Sequence, residues 1–306
     1  MEQFITPPFL QKGDKIGIVS PAGKIDKILI NNAVDIFNSW GLEVVIGKNA
    51  LNIKNQFAGT DDERAADFQG MLDDESIKAI ICSRGGYGSV RIINKLSFEN
   101  FFKNPKWIVG YSDITVFHSF LSNHKIKSIH GPMPKSFPVN NKKNKSIDSL
   151  HKALFGEKIS LSFYSHKLNK DGNVKSILKG GNLSIINSLH STPYELKMDS
   201  SILFLEDIGE HHYKIDRMLK NLQLAGKLDK LKGIIAGQFT NIKDTAADFG
   251  QTIYEIIEDK TKEYNFPVVF DFQAGHKRPN YSLILGNEIE MSVIGNEVKI
   301  DFINNE

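Results

Sequence analysis

A serine occupies a corner of the chain where its hydroxyl could act as a nucleophile. In KWIVGYSDITVF, an apolar run predicted to be a strand is followed by Ser112 and then by a predicted helix. This order is typical of a nucleophile elbow, in which the next N–H, here that of Asp113, helps to form an oxyanion hole. The motif match is partial, because Ile114 occupies the second glycine position. A simpler interpretation is that Ser112 or Asp113 caps the helix.

A serine is a weak nucleophile without a base, and histidine is a common one. Of the nine histidines, His276 follows a predicted strand and lies in the glycine-containing loop QAGHKRP. Loops at strand ends carry functional side chains in α/β folds. His130, in IHGPM, also follows a predicted strand and is a second candidate. The His211-His212 pair has no further metal ligand at a useful spacing, so the sequence predicts no metal site.

An acid is expected to orient the imidazole and to stabilise its charged form. The segment LFLEDIGEHH offers Glu206, Asp207 and Glu210. Glu206 ends a hydrophobic strand, which would place its carboxylate near the domain core. Asp207 and Glu210 are better placed to cap the helix that follows. The spacing leaves all three acids open.

A glycine-rich segment, Ser83–Ser89, also follows a predicted strand and precedes a predicted helix. Gly86 and Gly88 begin a dinucleotide fingerprint, but Arg91 occupies the third glycine position. The sequence therefore argues against a nucleotide site here. Glycines that let backbone N–H groups approach a substrate would equally serve an oxyanion hole or a carboxylate site.

The turn at Gly85-Gly86 is accordingly expected to supply a second oxyanion donor, the N–H of Gly86, beside that of Asp113. Arg84, next to this turn, could pair with a carboxylate group of a substrate through two N–H groups. The alternative for Arg84 is a structural ion pair.

Apolar runs alternate with amphipathic segments through the first half of the chain. The predicted strands KIGIVS, LEVVIG, IKAIICS and KWIVGYS are nearly continuous apolar runs, as in buried parallel strands. This alternation predicts an α/β fold with a doubly wound, flavodoxin- or Rossmann-like parallel sheet. Function would gather at the carboxyl ends of the strands.

The composition divides the chain into domains. Periodicity fades between Pro138 and about Asn173, where Lys, Asn and Ser dominate. We expect an N-terminal α/β domain over residues 1–139, a linker over 140–173 that includes the solvated lysine cluster NNKKNKS, and a C-terminal domain over 174–306. The second domain is expected to be a smaller α/β domain with β-hairpins, because the tail alternates around Gly286-Asn287 and Gly295-Asn296.

The composition also limits the class of protein. Of the 306 residues, 41% are hydrophobic and 24% charged, which is normal for a globular protein, and a net charge of +2 lacks the basic excess of nucleic-acid binders. Cys82 is the only cysteine, so no intramolecular disulfide can form. The N-terminus does not read as a signal peptide and no apolar run could span a bilayer. These features predict a cytoplasmic protein without membrane or nucleic-acid partners.

Six motifs, in order along the chain, together resemble the LD-carboxypeptidase family, also called muramoyltetrapeptide carboxypeptidases. They are SRGGYGS, VGYSDIT, HGPM, FLEDIGE, KIDRML and AGHKRP. The resemblance runs from Gly13 to Gly286. It implies a Ser-Glu-His triad, which the motif positions assign to Ser112, Glu206 and His276.

The resemblance also implies an activity. Members of the family are cytoplasmic serine peptidases of peptidoglycan recycling that remove the terminal D-alanine from murein tetrapeptides, and they are commonly homodimers that need no metal or cofactor. The order serine, glutamate, histidine would place nucleophile and base in different domains, with the active site in the cleft between them. Microcin C self-immunity proteins resemble the same family but cleave a peptidyl- or aminoacyl-nucleotide, so the substrate stays open. An alternative of another class is a non-catalytic small-ligand-binding protein in which Ser112 is only a cap.

Overall fold

The computed structural model describes residues 3–138, 144–164 and 166–303. The strands are β1 Lys15–Val19, β2 Glu43–Ile46, β3 Ile77–Cys82, β4 Trp107–Gly110, β5 Ser128–His130, β6 Ser160–Tyr164, β7 Gly172–Asn182, β8 Ser201–Ile208, β9 Gly233–Thr240, β10 Val268–Val269, β11 Leu283–Leu285, β12 Glu288–Ile294 and β13 Glu297–Phe302. The helices are α1 Lys27–Ser39, α2 Asp61–Asp73, α3 Ser89–Ile92, α4 Glu99–Lys103, α5 Thr115–Asn123, α6 Lys145–Phe155, α7 Leu183–Ser188, α8 His212–Leu224 and α9 Ile253–Thr261. The chain divides into two compact units, Met1–Glu157 with Tyr281–Ile284, and Lys158–Asn280 with Leu285–Glu306.

The first unit is built on a six-stranded sheet with the order β2-β1-β3-β4-β5-β11. The pairs from β2 to β5 are parallel. The α/β prediction with a doubly wound parallel sheet is therefore confirmed. In such sheets ligands bind beyond the carboxyl ends of the strands, where the strand order reverses. Here that place is the pair of loops that follow β1 and β3.

Helix α2 shows how local sequence determines an element of this unit. Thr60 caps its N-terminus by accepting the N–H of Glu63 at 3.1 Å, and the Glu63 carboxylate accepts the N–H of Thr60 at 2.7 Å. Phe68 of α2 stacks on Phe117 of α5 with ring centroids 4.5 Å apart, so the two helices share a core contact. Across the ranges 3–138, 144–164 and 166–303, no helix combines the length and hydropathy that a bilayer crossing requires.

The second unit holds a seven-stranded mixed sheet with the order β10-β9-β8-β7-β12-β13-β6. The four strands from β10 to β7 are parallel, and the pairs from β7 through β12 and β13 to β6 are antiparallel. Leu203 and Leu205 of β8 are buried in one cluster with Leu219 of α8 and Ile256 of α9. The parallel half of the sheet is thus covered by helices, as the alternating sequence indicates.

The stretch 140–173, expected to be a linker, contains regular structure in its described part. Helix α6 buries Ile147, Leu150 and Leu154 in the first unit, and β6 is an edge strand of the second sheet. Those three apolar residues follow helical spacing, but the Lys, Asn and Ser residues around them make this pattern hard to recognise in the sequence. The two units divide after Glu157. Residues 140–143 of the lysine cluster lie outside the described residues.

One predicted hairpin forms and the other does not. Strands β12 and β13 pair antiparallel across Gly295-Asn296, which confirms the hairpin expected there. The hairpin expected at Gly286-Asn287 is wrong, because β11 joins the first sheet while β12 joins the second. A glycine-asparagine pair indicates a local chain reversal, but tertiary pairing decides which sheet each strand joins.

Candidate active site

Ser112 lies at the sharp turn between β4 and α5. Its φ of 64° is in the left-handed region, which non-glycine residues rarely adopt and which costs about 1–3 kcal/mol at a functional site. Neither Ser112 nor Asp113 caps the helix that follows: the side-chain caps are absent both from the short 3-10 turn Ser112–Ile114 and from α5. The structure therefore replaces the capping interpretation with a strained turn that carries the serine at its apex.

The glycine-rich loop after β3 packs directly on this serine. A Cβ at Gly85 would lie 3.1 Å from Cβ and 3.3 Å from Oγ of Ser112, and 3.4 Å from the backbone nitrogen of Asp113. The C=O of Gly85 accepts the N–H of Gly23 at 3.1 Å, so the loop after β1 is hydrogen-bonded to the glycine-rich loop. Gly86 follows with a φ of 109° and is exposed. The structure thus brings together the nucleophile candidate and both segments expected to supply oxyanion donors.

The Asp113 carboxylate ties the serine turn to the glycine-rich loop. It is 1% exposed and accepts the N–H of Ser89 at 2.8 Å, while burial raises its pKa. On the other side of the loop, the buried guanidinium of Arg64 donates to the C=O of Gly88 at 3.1 Å and is paired with Asp61. Burial lowers the pKa of Arg64. The Asp113 carboxylate and the Arg64 guanidinium together hold the glycine-rich loop in place.

Neither the Asp113 carboxylate nor Arg64 was among the functional groups predicted from the sequence. A signal for Arg64 exists in α2, where it precedes the buried residues Phe68 and Met71 at helical spacing. A charged side chain on the apolar face of a helix indicates a buried, paired role. The carboxylate of Asp113 has no such signal, because its partner is 24 residues away in the chain.

Arg84 makes a backbone contact instead of the structural ion pair that the sequence left open. Its Nη1 donates to the C=O of Lys24 at 2.7 Å, and the side chain is partly exposed. The guanidinium therefore lies against the loop after β1, where a Cβ at Gly23 would be 3.1 Å from Nε of Arg84. Its planar fork has five N–H donors, so one hydrogen bond does not exhaust its capacity to bind a carboxylate.

Two histidines of the first unit, His118 and the base candidate His130, are buried. His118 bridges the C=O of Gly110, at 2.8 Å from Nε2, and the hydroxyl of Ser128, at 2.8 Å from Nδ1. A carbonyl only accepts, so Nε2 carries the proton. Burial lowers the pKa of His118 to about 4, which keeps the ring neutral at pH 7. His130, the second base candidate, is fully buried at the end of β5.

In the second unit, Glu206 and His276 form a hydrogen-bonded pair. Nδ1 of His276 lies 2.7 Å from Oε2 of Glu206, and the glutamate side chain is fully buried in β8. A carboxylate accepts, so Nδ1 is the donor and Nε2 is the ring nitrogen that can take a proton in the neutral tautomer. This is the arrangement in which a carboxylate orients an imidazole for base catalysis.

The other two acids have different partners. Asp207 accepts the N–H of Ser184 at 2.9 Å and its hydroxyl at 2.7 Å, so it binds the first turn of α7, whose N-cap is Asn182, and not the helix after β8. Burial, together with the charge of Glu206, raises the pKa of Asp207 to about 6. Glu210 pairs with Lys214 at 3.2 Å and is partly exposed. Among the described residues, no group of three or more His, Cys, Asp or Glu side chains is placed to hold a metal ion.

Comparisons with known proteins agree with this architecture. The family described as LD-carboxypeptidase N-terminal domain matches residues 16–131, and the LD-carboxypeptidase C-terminal domain matches residues 175–291. A probable murein peptide carboxypeptidase of Bacillus subtilis is 33% identical over 94% of this chain and 91% of its own length.

Two solved structures extend the comparison. The crystal structure of muramoyltetrapeptide carboxypeptidase from Oxalobacter formigenes superposes with a TM-score of 0.86 at 28% identity, covering 95% of this chain and 99% of that one. The structure of MccF in complex with glutamyl sulfamoyl guanosine gives a TM-score of 0.84 at 21% identity and covers 98% of both chains. At 21% identity, the similarity to MccF shows only a shared fold.

Proposed function

Since the chain belongs to the LD-carboxypeptidase family, and is thus a hydrolase of the carboxypeptidase class, we propose that it is a serine peptidase that removes the terminal D-alanine from murein tetrapeptide. The bond cut would join an L-centre to a D-residue, as a step in peptidoglycan recycling. The observation that carries the serine mechanism is the strained turn at Ser112, whose hydroxyl lies against a glycine loop. The names of the relatives, which specify murein peptides and muramoyltetrapeptide, support the substrate.

In the proposed mechanism, Ser112 is the nucleophile and His276 is its base. Nε2 of His276 takes the hydroxyl proton as Oγ attacks the carbonyl carbon, and then gives it to the leaving amine of D-alanine. Glu206 holds the imidazole by its Nδ1–H and stabilises the positive charge that forms. The N–H groups of Asp113 and Gly86 stabilise the oxyanion. Water then attacks the acyl-enzyme, with His276 as base again.

The conditions of action are also proposed from the family resemblance. The protein would act in the cytoplasm as a homodimer, on a small peptide, without a metal or cofactor. Light scattering of the purified protein tests the dimer, since a monomer mass at working concentration contradicts it. Chelator treatment tests the absence of a metal requirement, since a loss of activity that added metal restores contradicts it.

The test of the function is mass spectrometry of murein tetrapeptides incubated with the protein. We expect the loss of one alanine, and peptides with either diaminopimelate or lysine before the D-alanine would reveal the preferred residue. The matched control is an aminoacyl sulfamoyl nucleotide under the same conditions. Cleavage of that compound with intact tetrapeptide would favour the immunity-protein alternative. Intact compounds in both samples would contradict the proposed hydrolase.

We expect Arg84→Ala to weaken hydrolysis of the free-acid tetrapeptide far more than hydrolysis of its C-terminal amide. A charge-assisted pair contributes roughly 1.5–3 kcal/mol, which predicts a loss of about 10- to 150-fold in kcat/KM on the acid. Any shift of the loop caused by losing the bond to Lys24 would affect both substrates. The measurement is kcat/KM on both peptides.

Arg91→Ala is the matched control for this prediction. Arg91 is also an arginine next to the glycine-rich loop, but its guanidinium is committed to both carboxylate oxygens of Asp61. Its loss should change the ratio of the two substrates little. Equal losses on acid and amide for Arg84→Ala would remove Arg84 from the carboxylate site.

A further inference from the structure

The loop that carries His276 contains no helix or strand. It runs from the end of β10 to Asn280, and His276 lies in its middle. A base in a loop without regular secondary structure needs other contacts to hold its ring in one position. One buried residue of the neighbouring strand β9, Gln238, supplies them.

Gln238 contacts the loop on both sides of the histidine. Its Oε1 accepts the N–H of Lys277 at 2.8 Å, and its Nε2 donates to the C=O of Pro279 at 3.1 Å. Its own backbone N–H donates to the C=O of Ala274 at 2.9 Å. Gln238 is 5% exposed, whereas its partners Lys277 and Pro279 are exposed and half-buried, respectively. A single residue thus fixes peptide groups before and after His276.

The loop also packs between Gln238 and Glu206, the acid that accepts the hydrogen bond of His276. A Cβ at Gly275 would lie 3.1 Å from Cβ of Gln238 and 3.2 Å from Oε2 of Glu206. The φ of Gly275 is 137°, a conformation that favours glycine. The N–H of Gly275 donates to Oδ1 of Asn280 at 2.9 Å, which closes the loop on itself.

The register of the sheet places Gln238 beside this pair. Strands β8 and β9 are parallel, and their register shifts between Leu205 and Asp207, at the position of Glu206. Ala236 pairs with Leu205 and Phe239 pairs with Asp207, so Gln238 lies in the extra segment of β9 opposite Glu206. Irregularities of this kind re-aim side chains next to active sites.

We propose that Gln238 is a positioning residue for His276. Its side chain sets the distance and angle of the imidazole to Glu206 by holding the N–H of Lys277 and the C=O of Pro279, which follow the histidine, while its backbone N–H holds the C=O of Ala274 before it. Its effect on turnover rests on the proposed function, whereas its effect on the imidazole does not. Misplacement of a catalytic group by about 1 Å can cost 10²-fold in rate.

The test compares Gln238→Met with Asn287→Leu. Methionine keeps the length of glutamine but removes both side-chain bonds to the loop. Asn287 is a matched control, because it is another buried amide of the second unit that donates to backbone C=O groups, those of Glu288 and Ile303. For Gln238→Met we expect kcat to fall about 10- to 100-fold, with KM changed less than about 3-fold. Asn287→Leu should lower the melting temperature but leave kcat unchanged.

A second readout does not depend on turnover. In protein labelled with ¹⁵N-histidine, the Nδ1–H resonance of His276 is identified as the signal that His276→Gln lacks. We expect the proton to exchange with solvent at least about 10-fold faster in Gln238→Met, because the hydrogen bond to Glu206 is no longer held in place. Gln238→Glu, which keeps the acceptor for Lys277 and loses the donor for Pro279, should be intermediate in exchange and in kcat.

The outcomes separate the two proposals. If the wild-type protein leaves murein tetrapeptide intact while Gln238→Met still accelerates exchange at His276, the function fails and the positioning role stands. If Gln238→Met folds and leaves both the exchange rate and kcat at wild-type values, the positioning role is overturned. Equal losses of kcat in Gln238→Met and Asn287→Leu, with exchange at His276 unchanged, would also overturn it, since a general loss of stability would then explain them.

Discussion

Replacing Ser112 by alanine is expected to abolish hydrolysis of murein tetrapeptide and to leave the fold intact. The loss of a triad nucleophile removes the covalent route and costs on the order of 10⁴-fold or more in rate. Alanine adopts the φ of 64° at about the same cost as serine, and no side-chain cap is lost. The measurement is kcat on tetrapeptide, together with circular dichroism and the melting temperature.

Ser122→Ala is the matched control for this change. Ser122 is a buried serine of α5, the helix that follows the nucleophile turn, and has no part in the proposed chemistry. Its loss should leave kcat unchanged. A serine-reactive phosphonate should label the wild-type protein at Ser112 and fail to label Ser112→Ala. Normal turnover by a folded Ser112→Ala protein would refute the nucleophile assignment.

The second large effect is expected for Glu206→Gln, with a fall in kcat on the order of 10³- to 10⁴-fold. Glutamine keeps the shape of the side chain but loses the charge that stabilises the imidazolium. Its amide can also donate to Nδ1 of His276, which would favour the wrong tautomer. Glu206 is fully buried with Oε2 bonded to His276, so the neutral amide should cost little stability. The measurement is kcat with the melting temperature as the folding check.

Glu210→Gln is the control for this variant. Glu210 lies four residues further along the chain, is partly exposed and pairs with Lys214. An exposed ion pair contributes about 0.2–1 kcal/mol, so the variant should keep its melting temperature and retain kcat within about 3-fold. If Glu210→Gln lost more activity than Glu206→Gln, the acid of the triad would be Glu210. The hydrogen bond between Glu206 and His276 would then have no role in catalysis.

Local signals in the sequence determined most of the elements. Thr60 and Glu63 begin α2 as a capping box because both side chains and both N–H groups lie within one turn. The apolar run before Ser112 and the helix after it predict a serine at a strand-to-helix corner, and the structure places it there. Such features need only neighbours in the chain, so periodicity and capping chemistry are enough to predict them.

Tertiary structure alone decided which distant groups meet. The sequence distinguished Glu206 from Asp207 and Glu210 only by its place at the end of a strand. The fold turned Glu206 towards His276, while Asp207 accepts the N–H of Ser184 in the first turn of α7. The bonds of Gln238 to the loop of His276 have no counterpart in any local pattern. The physical reason is that strand order, register and the path of a loop are set by burial and by hydrogen bonds between residues tens of positions apart. Propensity and periodicity report only on neighbours within a turn or a strand.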